Sequence, residues 1–528
     1  MRLRYYGIPI FALLTLLVML GSCSDEWDTH YNAQAANKSK LNVFEYIQSR
    51  PDLTMFTEML KFTGYDSIIS KPGTFTVWAP SDSALKNSPE IMLAIQLGDT
   101  NTVRQIVENH ITRFSYTTSG ISSKPIKMLD QKIFVLAKEA TGYSFGGTPM
   151  TTSDIATANG VVHIIGDYLP FRLNLWEYIH NTVGLDSLKT YLDSLTIKTL
   201  DQSASFQNNN FVGYFYKTSN IVLDYLAAIN TEDSTYTALL PNNTAWTEAY
   251  NRILPYYNTT VLDGGVKTQI AKTKWTLIQD LFFRHKIFMP TGVDTLVSNY
   301  GNKFAQPDRL FSNSQPIPLS NGIGYVTDKL NIQAQESWHN QIVIEAENTT
   351  YSGTMTNYSS SYETGYGTGF NISRNRYLVL LPKGPSATAS VTFKIPNTLS
   401  AKYDIYCVFV PPTILDTADR RPSKVKFTLG YRNSNGAATA GFVDANNVVQ
   451  SKSSSAAIFT TNALAKQPEQ MLVASGFKFP VTNFPTGKDM VSYVNSISVF
   501  LKVDNAAPDD VTANRRLMID CIILKPVQ

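Results

Sequence analysis

One phrase occurs twice in this chain, and it limits what the chain can fold into more than anything else does. Thr74–Leu85 reads Thr-Phe-Thr-Val-Trp-Ala-Pro-Ser-Asp-Ser-Ala-Leu, and Tyr236–Trp246 reads Tyr-Thr-Ala-Leu-Leu-Pro-Asn-Asn-Thr-Ala-Trp. Pro80 maps to Pro241, Asp82 to Asn243 and Ala84 to Ala245, each 161 residues on. Phe75, Val77 and Ala79 alternate with Thr74, Thr76 and Trp78, the period of a strand. Pro80 cannot donate to a sheet ladder and so ends it. Asp82 is then placed to accept from the free N–H groups of a helix opening behind it. A strand–proline–helix junction used twice implies a duplicated module.

Other landmarks repeat around it. Asn42-Val-Phe-Glu-Tyr-Ile47 returns as Asn174-Leu-Trp-Glu-Tyr-Ile179, 132 residues later. Asp52 is expected to cap a helix that turns Leu53, Phe56 and Leu60 to one side and stops at Gly64. Val103, Ile106, Val107 and His110 share their spacing with Ile278, Leu281, Phe282 and His285. Both histidines are therefore expected at the end of a buried helical face, as structural residues with hydrogen-bond partners, and His163 likewise on a core strand. Each copy closes on a strand behind Asn159-Gly160 or Asn321-Gly322, a hairpin-turn signal. Unequal spacings place insertions in the second copy, at Leu200–Val222 and Asn258–Lys272.

The strand–Pro–x–Asp/Asn–x–Ala signature resembles the fasciclin domain, an adhesion and binding module. The resemblance implies two fasciclin-like α+β domains, at 41–172 and 173–338, with the histidines at the place of the family's histidine motif. The second copy departs from the first at Asn243, Gly324 and Tyr325.

At the N-terminus Arg2 and Arg4 precede an apolar run, Ile8 to Leu20, shorter than the ~20 residues a spanning helix needs. The run ends in Leu20-Gly21-Ser22-Cys23, which resembles a bacterial lipobox. That likeness implies a signal peptide over 1–22, lipid attachment at Cys23, and a polar tether over 23–40. Several acyl chains on one residue would anchor durably. Asp25, Glu26 and Asp28 resemble the surface-export signal of Bacteroidota-type outer-membrane lipoproteins, so the expected location is the outer face of the outer membrane.

From Ser337 helical periodicity fades. Ile342–Glu347, Tyr377–Leu381, Ala389–Ile395, Lys402–Val410, Lys424–Leu429, Val491–Val503 and Leu517–Leu524 read as strands, and such a series suggests an antiparallel β-sandwich over 339–528. The opening Ile-Glu-Ala-Glu and the closing Leu517–Pro526 resemble jelly-roll carbohydrate-binding modules. In such modules acidic residues of the first and last strands share a structural calcium, which makes Glu345, Glu347 and Asp520 the candidate ligands. Glu345 and Glu347 share parity along a strand. Cys407 and Cys521 are expected as two buried thiols, with a bridge as the alternative. Gly365-Tyr-Gly-Thr-Gly369 lacks the context of a phosphate loop. Tyr358, Tyr362 and Tyr366 around it either rim a sugar site or pack on the sandwich.

A net charge of +3 with no basic cluster argues against nucleic acid. No Gly-x-Ser-x-Gly, paired carboxylates or transition-metal spacing points to catalysis. The expectation is a non-catalytic surface lipoprotein that binds a glycan or a partner protein, an accessory to an outer-membrane polysaccharide-uptake system. The alternatives are an adhesive or scaffolding lipoprotein that binds protein alone, and a polysaccharide-degrading enzyme.

Overall fold

The repeated strand, Phe75–Pro80, is buried on both faces. In this computed structural model residues 39–207, 210–287, 294–312, 314–365, 369–384, 387–486, 489–507 and 511–527 are described; Cys23, the apolar run before it and Tyr366 lie outside them. The described chain divides into two compact units. One holds residues up to Glu177 with Ile229–Ser234 and Leu319–Asn321, and the other holds the remainder.

In the first unit Phe75–Pro80 is the second strand in from one edge of a seven-stranded sheet, parallel to Gly160–Ile165 and antiparallel to the edge strand Ile111–Arg113. Phe75, Val77 and Ala79 face a helical core with Phe56, Leu60 and Val103. Trp78 faces the opposite way, into a second core with Phe145 and Leu169. Thr76 is fully buried yet satisfied: its hydroxyl donates to Phe114 O and accepts from Tyr116 N–H, both at 2.8 Å.

The second repeat follows the same plan. Tyr236–Pro241 runs parallel to Gly322–Thr327 and antiparallel to Phe282–Arg284. Thr237 repeats the bond set of Thr76, donating to His285 O and accepting from Ile287 N–H. Both Asn-Gly turns are hairpins, and each asparagine does more than turn the chain. Asn159 accepts from Val43 N–H and donates to Ile69 O and Lys71 O. Asn321 accepts from Leu175 N–H and donates to Ile229 O and Thr231 O. The Asn42 and Asn174 phrases each open a helix with the same reciprocal bonding to the glutamate three residues on.

Later in the chain, two antiparallel sheets form the sandwich. One carries Tyr358–Thr364, Arg376–Pro382, Leu517–Pro526, Lys402–Phe409 and Glu469–Lys478 in order; the other runs from Ser352–Thr356 through Phe500–Asn505 to Val449–Gln450. The first strand, Ile342–Glu345, pairs with the last. Two expectations are corrected, at Val491–Val503 and at Glu347. Val491–Val503 is a helix, Met490–Asn495, followed by the strand Phe500–Asn505, because Asp489 and Ser492 cap each other's backbone. The Ser/Tyr stretch before Gly369 holds two strands, and Glu347 lies in the turn beyond the first strand.

Candidate functional site

The histidines are placed first. His110 is fully buried; its Nδ1 donates to Ile106 O at 2.7 Å and its Nε2 accepts from Leu169 N–H at 2.9 Å. Burial pushes its pKa down to about 4, so it is a neutral structural bolt. His163 is equally buried, stacked on Trp78, with Nε2 donating to Tyr116 O and Nδ1 accepting from Asp154 N–H. Tyr325 takes its place in the second repeat and donates to the corresponding carbonyl, Ile287 O.

His285 departs from the expectation. It is exposed, with a left-handed φ of 69°. The backbone pairing shows why: Trp78 N–H bonds to His110 O, and Leu239 N–H bonds to Leu281 O. Leu281 is thus the counterpart of His110, and His285 that of Phe114, which also has positive φ. Equal apolar spacing had matched the two helices four residues out of register.

The junction residue is also reassigned. Ser81 caps the helix Asp82–Lys86, while Asp82 caps a different one, accepting from Met55 N–H at 2.9 Å and the Thr54 hydroxyl at 2.5 Å. Asp52 does not cap that helix, because Arg50 binds both its oxygens. Asn243 likewise leaves its own helix to Asn242 and accepts from Ser187 N–H. The repeat therefore keeps a helix–helix clamp at this position.

The sandwich gathers the acidic candidates. Val408 lies opposite Cys521, and Phe409 opposite Ile519, which leaves Asp520 as the extra residue of a bulge. A bulge re-aims a side chain, and here ligand atoms of Glu345, Asp520 and Cys521 come within 4.8 Å of one another. Asp520 accepts from Ser373 N–H, and Glu345 from the Ser373 hydroxyl at 2.8 Å. Glu345 Oε2 and Glu347 Oε2 are buried without a partner among the described residues. Burial first, then the charges of Glu345 and Glu347, push Asp520 up to about 7; Glu347 also rises, chiefly through burial.

Crowded carboxylates with orphaned oxygens fit a hard divalent cation, to which the three acids would give part of a set of six to eight oxygens. Cys521 adds nothing to such a set, since a soft sulfur does not suit a hard, oxygen-seeking cation. Cys407 lies opposite Ile522, one position off Cys521, so the two free cysteines project from opposite faces of the sheet and cannot bridge.

Beside the acids lies an open groove of about 610 Å³. Gln341, Asn371, Gln467 and Gln470 offer amides around a floor of Val343, Val408 and Ile523. Amides over apolar surface suit a neutral, hydroxyl-rich ligand. Neither Tyr358 nor Tyr362 lines it.

Two features escaped the sequence reading. Lys132 is buried in the first unit, with Nζ on Glu177 at 2.8 Å and Glu232 at 3.0 Å, partners too distant in sequence to be paired by spacing. The insertion expected at Leu200–Val222 belongs to a hairpin of Thr196–Leu200 and Tyr216–Asn220, and exposes Phe211, Tyr214 and Phe215. Its aromatic run was the available signal.

These modules match known proteins in part. Residues 51–170 match the family model for the Fasciclin domain. Stabilin-1 of Mus musculus is 30% identical over 139 residues, covering 25% of this chain and 5% of that protein. Transforming growth factor-beta-induced protein ig-h3 of Sus scrofa is 22% identical over 130 residues, covering 24% and 19%. The chain thus spans a small part of the curated relatives it matches. Among solved structures, a FAS1 domain pair from the insect cell adhesion molecule Fasciclin I is 15% identical, with a TM-score of 0.21, over 54% of this chain and 98% of that one. The C-terminal family 22 carbohydrate binding module of Clostridium thermocellum Xyn10B is 11% identical, with a TM-score of 0.21, over 36% and 94%. The chain folds as two fasciclin-like α+β domains followed by an all-β sandwich of jelly-roll type.

Proposed function

We propose that this is a non-catalytic, lipid-anchored surface protein whose sandwich binds a glycan, working beside an outer-membrane polysaccharide-uptake system. The open groove is the observation that carries the glycan reading: amide donors and acceptors surround a small apolar floor, the balance that a sugar ring presents in return. Glu345, Glu347 and Asp520 would hold a calcium ion, which would tie the first strand of the sandwich to the last. The anchor rests on the lipobox resemblance at Cys23. Among the described residues no helix is long and apolar enough to cross a membrane.

A glycan array probed with the full chain tests the binding. Neutral oligosaccharides should bind, and Gln341→Ala with Gln470→Ala should weaken them; an array with no retained glycan would overturn the reading. For the anchor, Cys23→Ala should abolish incorporation of labelled fatty acid, and normal labelling of that variant would remove the lipoprotein assignment. A second reading, adhesion to a partner protein, is favoured by the exposed aromatics of the Thr196–Asn220 hairpin.

A further inference from the structure

Wholly within the second compact unit lies a second cavity, a cleft of about 490 Å³. The helix Gly265–Ile278 forms one wall, with Thr268 and Lys272 one turn apart on the same face. The sandwich supplies Arg432, Phe484 and Asn495.

The cations have donors to spare. Lys272 Nζ sits 4.7 Å from the Phe484 ring centre and has no hydrogen bond or ion pair among the described residues. Arg432 spends Nη1 alone on Asp263, at 2.9 and 3.1 Å, which leaves its Nε and Nη2 unpaired among those residues. Asp263 is the single carboxylate in the lining among the described residues, so two cations face one anion there. The ring steadies the ammonium without neutralising it.

The walls are fixed in advance. Asn483 holds the loop behind Phe484, donating to Ile395 O and accepting from Ser498 N–H and its hydroxyl. Asn258 donates to Pro480 O, and Thr482 N–H donates back to Asn258 O at 2.8 Å. A preformed site avoids the cost of ordering its loops when it binds.

We propose that this cleft is a second saccharide site, selective for acidic sugars, in which a ring carboxylate meets Lys272 and the free edge of Arg432. The saccharide part rests on the glycan reading above. The size supports it: the cavity falls in the range of organic-ligand pockets, and a lone inorganic anion would leave most of it unfilled. The hydroxyls of Thr259, Thr268 and Thr482 line the remainder.

The test is calorimetric titration of the full chain with a short oligogalacturonate, its methyl ester, and sodium sulfate. The acid should bind, and the ester, equal in shape but uncharged, should bind about tenfold more weakly, the worth of a charged hydrogen bond. Lys272→Gln should lower acid affinity to that of the ester, and Lys272→Arg should restore it. Arg432→Gln supplies a second reading if Lys272→Gln disturbs the melting curve. Unchanged acid affinity in the folded Lys272→Gln protein would overturn the site. Displacement of the sugar by sulfate at equal concentration would reduce it to a simple anion site and overturn the sugar selectivity. Gln470→Ala separates the two proposals. If that variant loses neutral glycans while acid binding ignores Lys272, this site alone falls; if neutral glycans never bind and the acid still depends on Lys272, the groove falls and this site stands.

Discussion

His110 is a proton-sensitive residue in a place where protons do not belong. Its folded pKa is about 4 against an ordinary 6.5, so the unfolded chain takes up a proton first as pH falls. The stability it contributes is therefore present above pH 6.5 and is lost as pH falls toward 4. His110→Leu, copying Leu281 of the second repeat, should remove that acid sensitivity. The same change orphans Leu169 N–H and should cost about 1–3 kcal/mol at neutral pH. Denaturant melts at pH 5 and pH 7 would measure both effects, and an unaltered pH slope would count against the burial argument. Asn159 gives a test of different sign. Its amide donates to two carbonyls, so Asn159→Asp would point a carboxylate oxygen at both. It should lower the melting temperature more than Asn159→Ala does, and the reverse order would mean those bonds contribute little.

At the scale of elements, legibility followed locality. The strand–proline–helix junction, the repeat of the Asn42 and Asn174 phrases, and the Asn-Gly hairpins depend on residues a few positions apart, and all could be read from the chain; the reciprocal caps inside those phrases were not read. The histidine helix could not. Helical periodicity fixes which residues share a face but leaves the alignment of two helices free by a turn, and only the pairing of Trp78 with His110 and Leu239 with Leu281 decides it. The acids of the sandwich lay between these cases: parity and family resemblance suggested them, while the bulge that turns Asp520 inward is a property of three strands together. The Thr196–Asn220 hairpin was missed because its polar flanks outweighed its aromatic centre. Its exposed rings touch chiefly one another, Phe211 packing edge-on against Phe206 and Tyr214, so Phe211→Ser with Tyr214→Ser should cost no more than about 1.5 kcal/mol. If the hairpin meets a partner protein, cells displaying that variant should adhere less than wild type in a flow assay. Equal adhesion would leave the hairpin without that role.

On the scale of the whole molecule, the sandwich is closed by its own ends: Ile342–Glu345 lies against Leu517–Pro526, and the acids cluster where the two meet. Asp520 is pushed up to about 7, so the folded protein holds a proton there that the unfolded chain releases near pH 4. Its contribution to stability is complete below pH 4 and is lost as pH rises through 7, where three carboxylates face one another beside the mostly exposed Arg374. A cation can replace that proton. Without metal, Asp520 should pull the melting temperature down between pH 4 and pH 7, against the opposite slope from His110, and added calcium should raise it most strongly above pH 7, where the site is ionised. At a hundred times its dissociation constant the ion would add about 2.7 kcal/mol. Asp130, which burial also pushes up to about 7, titrates with the same sign, so the comparison is between the wild-type chain and Asp520→Asn. That variant keeps the shape of the side chain and removes its charge. It should lose both the Asp520 share of the pH slope and most of the response to calcium, with Asp130 leaving the remaining slope in place. Chelation that leaves the wild-type melting curve unmoved at pH 8 would show that the ionised acids hold no metal. The end-to-end closure of the sandwich would then rest on strand pairing alone.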